Sequence, residues 1–184
     1  MYSQPLQPSS PIADGSASQK AIQNFAARSG LPAPSATLQD MTPDTTATAT
    51  PSVYEQLGGE PAIRRLVDRF YALMDELPEA YGVRRMHPES LVGSADSLFK
   101  FLSGWFGGPP LYSRERGHPR LRMRHAPYSV GPTERDEWLL CMHQALVELV
   151  ADERLRAGVI RAFDDMAGHL VNAEAPASSP CPAH

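Results

Sequence analysis

Apolar residues recur at three- and four-residue steps along most of the second half of the chain, the spacing that puts side chains on one face of an α-helix. After Gly58-Gly59, Pro61 suits a first helical turn. Ile63, Leu66, Val67, Phe70, Tyr71 and Met74 then share a face, predicting an amphipathic helix that ends before Pro78. A second helix is predicted from about Ser94, carrying Leu98, Phe99, Phe101, Leu102, Trp105 and Phe106, and halting at Gly107-Gly108-Pro109-Pro110. A third is expected to open at Thr133 as N-cap and to carry Trp138, Leu139, Met142, Ala145, Leu146 and Leu149. The fourth spans Glu153 to Val171, with Leu155, Val159, Ile160, Phe163, Met166, Ala167 and Leu170 inward. No segment alternates with period two for long enough to make a strand. The pattern predicts an all-α domain of four main helices, too short for eight full ones.

Before Val53 the pattern is absent. Residues 1–51 are rich in Pro, Ser, Thr, Ala and Gln, a composition that buries too little apolar area to offset the entropy of ordering. A disordered extension is expected there, with a folded domain over 52–173 and a flexible tail over 174–184. Within the extension only Ala21 to Arg28 places apolar residues (Ile22, Phe25, Ala26) at helical spacing.

Composition narrows the classes. In 184 residues, 42% hydrophobic, one core is affordable in size. The 17 Lys and Arg against 21 Asp and Glu leave a net charge of −4, which argues against a surface built throughout for nucleic acid. Cys141 and Cys181 have neither zinc-site nor disulfide-framework spacing. No apolar run reaches the roughly 20 residues of a bilayer span, and no leader pattern is visible. The expectation is a soluble, cytoplasmic protein without membrane or nucleic-acid partners.

One stretch does not fit a plain helical bundle. Between the second and third helices lie Tyr112, Arg114, Arg116, His118, Arg120, Arg122, Arg124, His125 and Tyr128, and long loops inside compact domains are uncommon unless they work. Pro119 is placed to begin a short helix that Pro127 confines to about residue 125, by pushing Ala126 out of the helical region. His125 then points where an apolar residue would, four after Leu121. Three readings follow. His125 is a core-edge histidine among solvated arginines; or the arginines and tyrosines hold phosphates and stack bases; or His125 binds the iron of a haem whose propionates meet the arginines. Tyr71 and Trp138, on the apolar faces of the first and third helices, each carry a donor that needs a partner if buried.

The segments YEQLGGEPAIRRLVDRFY, MHPESL, FLSGWFGGPPLY, RGHPRLRMRHAPYSVG and ERDEWLLCM, in that order over about residues 53–172, resemble the truncated haemoglobins, group II. The resemblance implies an abridged globin fold, a two-over-two helical sandwich around haem b. It implies His125 as the proximal iron ligand. Tyr71, His87, Trp138 and Ser94 then face the bound ligand, with Leu98 as a second distal-helix position. Phe101, Leu102, Tyr112, His118, Met123, Arg124, Tyr128 and Val130 complete the cofactor pocket, and the glycine pairs at 58–59 and 107–108 match helix corners. The extension before Val53 and the length of ELPEAYGVRR depart from the family pattern. The function implied is reversible binding of dioxygen and other diatomic gases at a five-coordinate iron, with slow oxygen release. The alternative is a haem-dependent oxidoreductase, acting on nitric oxide or peroxide with an external reductase as electron donor. A second copy of the chain, as in a homodimer, is the other partner considered. His143, His169 and His184 receive no role.

Overall fold

The computed structural model describes residues 50–174. The helix considered at Ala21 to Arg28, Cys181, His184 and nearly all of both expected tails lie outside the described residues. Among the described residues the chain is wholly helical: α1 (Val53–Leu57), α2 (Gly59–Glu76), a 3-10 turn (Pro78–Ala80), α3 (Tyr81–Arg85), α4 (Val92–Trp105), α5 (Leu111–Arg116), α6 (Leu121–His125), α7 (Pro132–Leu149) and α8 (Glu153–Gly168).

The four long helices are those the periodicity predicts. Helix α2 crosses both α4 and α7, and α7 also packs on α8, which gives two pairs of helices laid one over the other. The inward face of α2 (Ile63, Leu66, Val67, Phe70, Leu73, Met74) meets Cys141, Met142, Ala145 and Leu146 of α7 and Val159, Phe163 and Met166 of α8 in one continuous core. At its centre Phe163 touches three rings, Trp105 at 5.0 Å, Trp138 at 5.6 Å and Phe106 at 5.9 Å between centroids. Phe70 adds a fourth contact to the cluster through Trp138 at 5.0 Å. These are favourable aromatic separations.

Local chemistry sets the corners. Ser52 and Glu55 form a reciprocal capping box at the start of α1, with Ser52 N–H donating to Glu55 Oε2 at 2.8 Å and Glu55 N–H donating to Ser52 Oγ at 3.2 Å. Tyr54 N–H then donates to the Phe106 carbonyl at 2.9 Å, and the Tyr54 ring sits against Gly108, where a Cβ would come within 2.5 Å of it. Glycine at 108 is thus what lets α1 lock onto the end of α4. At α8, Asp152 accepts from Leu155 N–H at 2.9 Å, a side-chain N-cap.

Several boundaries differ from the sequence expectation. Helix α4 begins two residues before Ser94, at Val92. Helix α7 begins at Pro132 rather than at Thr133; Gly131 is its N-cap and donates its N–H to Glu134 Oε2 at 2.9 Å, so the capping acid comes from inside the helix. Helix α8 stops at Gly168, short of Val171. Pro119 does not begin α6: Arg120 intervenes in the left-handed region at φ 43°, which no helix can pass through. Ala126 is not expelled from helical geometry but stays at φ −56°, ψ −33°. Pro127 still ends the helix, because it lacks the N–H that the next turn would need, and Tyr128 N–H closes the turn on the His125 carbonyl at 3.0 Å.

Candidate functional site

His125 closes the five-residue helix α6. Its Nδ1 lies 2.8 Å from the Leu121 carbonyl, one turn back. A carbonyl only accepts, so Nδ1 carries a proton and Nε2 is turned away from its own helix, with a lone pair to offer in the neutral tautomer. That is the form an imidazole needs to bind a metal, with the carbonyl bond fixing ring orientation. Helix α6 buries none of its residues, although Leu121 rests against the core.

Three further groups come from α2, the turn after α3, and α7. Tyr71 is buried on α2, and burial pushes its phenol well above the ordinary range, an effect that a hydrogen bond with the Ser94 side chain of α4 partly offsets. Tyr71 therefore keeps its proton at neutral pH and is able to donate. His87 stands edge-on to Tyr71 with ring centroids 5.8 Å apart. Trp138, half-buried on α7, is joined to Tyr71 through Phe70, whose ring is 4.8 Å from one and 5.0 Å from the other.

His87 repeats the His125 arrangement. Its Nδ1 donates to the Val83 carbonyl at 2.8 Å, leaving Nε2 as an acceptor. Burial lowers its pKa most, against the pull of the Val83 bond, and the charges of Arg84 and His125 lower it further. Two consequences follow. The imidazoles of His87 and His125 lie near enough to influence one another, and His87 is held neutral, which leaves Nε2 able to accept.

The turn that carries His87 is clamped from three sides. The Glu137 carboxylate of α7 accepts from Val83 N–H at 2.6 Å, at the start of α3, and occupies the space over Gly82, where a Cβ would sit 2.6 Å from Oε2. Arg84 pairs with Asp75 at the end of α2 and donates to the carbonyls of Pro88 at 3.0 Å and Glu89 at 2.9 Å.

The remaining pocket residues divide by depth. Leu98 and Phe101 are half-buried on α4 against the core, whereas Leu102 is wholly buried in it, a support behind the wall. Tyr112 is buried on α5, edge-on to Phe101 at 6.5 Å. The guanidinium of Arg116 lies 5.8 Å and that of Arg124 5.4 Å from its ring centroid. Arg116 also donates to Ser97 Oγ and Arg124 to the Pro119 carbonyl, both at 3.0 Å. His118 Nδ1 accepts from Arg120 N–H at 3.2 Å. Met123 and Tyr128 are about half exposed, and Val130 bonds to Asn172. The structure thus sets Tyr71 beside His87 and Ser94, links it to Trp138 through Phe70, places His125 near enough to His87 to influence it, and gathers Arg116 and Arg124 at the Tyr112 ring.

Residues 52–172 match the bacterial-like globin family. The chain belongs to that family, as a group II truncated haemoglobin. Over 119 residues it is 34% identical to the group 2 truncated hemoglobin YjbI of Bacillus subtilis, covering 65% of this chain and 87% of the relative. In structure it is similar to the group II 2-on-2 hemoglobin of Agrobacterium tumefaciens, with a TM-score of 0.68 and 43% identity over 70% of this chain and 99% of that one. It is also similar to the truncated oxygen-avid haemoglobin of Bacillus subtilis, with a TM-score of 0.60 and 34% identity over 66% of this chain and all of that one, 100%. This globin accordingly has the two-over-two helical fold, binds haem and binds diatomic gases such as oxygen.

The residues present fit that group. An imidazole with its Nε2 clear of its own helix, half-buried apolar side chains at Leu98 and Phe101, guanidiniums beside Tyr112 and a buried phenol on α2 are groups that suit a haem. No helix of the globin is long and apolar enough to cross a membrane, among the described residues. Sequence reasoning passed over Glu137, Arg84 and Asn172. Glu137 and Asn172 act on backbone far away in the chain, Arg84 on carbonyls four and five residues on, and none of the three carries a local signal.

Proposed function

We propose that this globin binds dioxygen reversibly at a five-coordinate haem b iron held by His125, and releases it slowly. Bound haem supplies reversible coordination of a small diatomic molecule at its iron. The chain's own residues set how long that molecule stays. His125 offers Nε2 from the proximal side, with Nδ1 tied to the Leu121 carbonyl so that the ring cannot spin. Tyr71, protonated at neutral pH and braced by Ser94, donates to the negatively polarised gas molecule. His87 accepts, so its role is to orient the Tyr71 hydroxyl or a water rather than to donate. Arg116 and Arg124 meet the propionates at the pocket mouth.

The buried Tyr71 hydroxyl carries this reading. A hydrogen bond to a charged partner contributes roughly 1.5–3 kcal/mol, about tenfold to a hundredfold in dissociation rate. That the Bacillus subtilis relative is described as oxygen-avid supports the same direction. The test is an absorption spectrum of the purified full chain before and after dithionite. A Soret band, and a five-coordinate ferrous form that is lost in His125→Ala, are expected. A colourless protein that takes up no added haem refutes the proposal.

A second reading draws on the His87 lone pair. A base beside a phenol suits a peroxide, whose proton must be taken up before its O–O bond breaks, and turnover would need an external reductant. Steady-state peroxide consumption that falls in His87→Phe while oxygen release is unchanged would favour it.

A further inference from the structure

Helix α6 presents the His125 ring, yet it buries no residue of its own, so packing alone does not fix where it points. Its end is held from elsewhere. Asn172, four residues beyond α8, spends its whole side-chain amide on the turn that follows His125. Nδ2 donates to the His125 carbonyl at 3.1 Å and to the Tyr128 carbonyl at 3.0 Å, while Oδ1 accepts from Val130 N–H at 2.9 Å. The backbone adds two more bonds, from Asn172 N–H at 2.9 Å and Ala173 N–H at 3.1 Å, both to the Val130 carbonyl. An amide has two donors and one acceptor oxygen, and all three functions are engaged by one six-residue turn. The side chain is exposed, so burial does not explain the arrangement.

We infer that Asn172 is the positioning residue of the proximal ligand: a C-terminal strap that sets the tilt of His125 beneath the haem. This rests on the haem reading above. The carbonyl to which Asn172 donates belongs to His125 itself, and the other bonds fix the chain immediately after it. Displacing the strap frees the last turn of α6 to rotate and carries the ring with it. The Leu121 bond does not prevent this, because it moves with the helix.

The test compares Asn172→Ala with Asn172→Asp in the full-length holoprotein. The aspartate keeps an acceptor for Val130 N–H but loses both donors, and so separates the grip on His125 from the general fastening of the segment. The readout is the iron–histidine stretching band of the ferrous protein by resonance Raman, which reports imidazole tilt and which a purely structural tail would not move. Both variants are expected to shift and widen that band, with haem loss to a scavenger roughly tenfold faster. A band at the wild-type position in haem-replete Asn172→Asp overturns the strap, whatever happens to the melting temperature. A wild-type chain that takes up no haem refutes the functional reading and the strap with it, so the two failures are distinguishable.

Discussion

Gly82 and Glu137 give the sharpest energetic prediction, because the sign of one substitution should depend on the other residue. Gly82 sits in α3, where alanine would ordinarily be favoured by about 0.5–1 kcal/mol. A methyl there would meet the Glu137 carboxylate at 2.6 and 2.8 Å, closer than any real contact. The carboxylate is the movable partner, so it swings out and gives up its bond to Val83 N–H. That bond is charge-assisted and partly buried, worth roughly 1.5–3 kcal/mol. Gly82→Ala in the wild-type background should therefore cost about 1–2 kcal/mol, the loss less the propensity gain, seen as a fall of roughly 5 °C in melting temperature. In Glu137→Ala the bond is already gone and the space is open, so the same substitution should be neutral or stabilise by about 0.5–1 kcal/mol. Urea unfolding followed by circular dichroism on the four proteins of this cycle measures both numbers. Equal costs of Gly82→Ala in the two backgrounds would show that Glu137 does not hold α3.

Tyr71→Phe removes the distal hydroxyl while keeping the ring against Phe70, so oxygen release measured by stopped flow should quicken about tenfold or more, and an unchanged rate would remove Tyr71 from the ligand's surroundings. Burial pushes the Cys141 thiol up to about 11; in a Cys181→Ser protein, iodoacetamide at pH 8 should leave it unmodified until the chain is unfolded, and mass spectrometry reads the result. His87 titrates lower in the folded than in the unfolded chain, so the unfolded state takes up more protons as pH drops below the ordinary 6.5 and stability falls with it. His87→Phe should flatten the slope of unfolding free energy between about pH 6.5 and 5, and an identical slope would contradict the burial of that ring.

The long helices were legible because each repeats its apolar face over three turns or more, and the residues proposed here to face the gas, Tyr71, Ser94 and Trp138, inherit their positions from that register. His125 was legible through its neighbours Leu121 and Pro127, and its bond to a carbonyl follows from its place in the last turn. The short elements were not. Five-residue helices such as α3 show too little periodicity to stand out, and the left-handed Arg120 carries no glycine or asparagine to announce it. The clamps were hidden for a different reason. Glu137 reads as an ordinary polar position on α7, and Asn172 as a residue past a helix end; their partners, 54 and 42 to 47 positions away, become neighbours only when the helices cross. The direction of His87 as acceptor rather than donor likewise depends on which carbonyl its Nδ1 meets.

Phe70 and Tyr71 are consecutive, and a helix turns about 100° per residue. Under the proposed function one ring therefore packs the core and the next turns its hydroxyl toward the bound gas. Drift in the pitch of α2 would trade one for the other, swapping a hydroxyl into oil and a bare ring toward the iron. Sensitivity to the gas and solidity of the scaffold are cut from the same rod, so evolution can retune the former by exchanging single side chains, but never by sliding the helix.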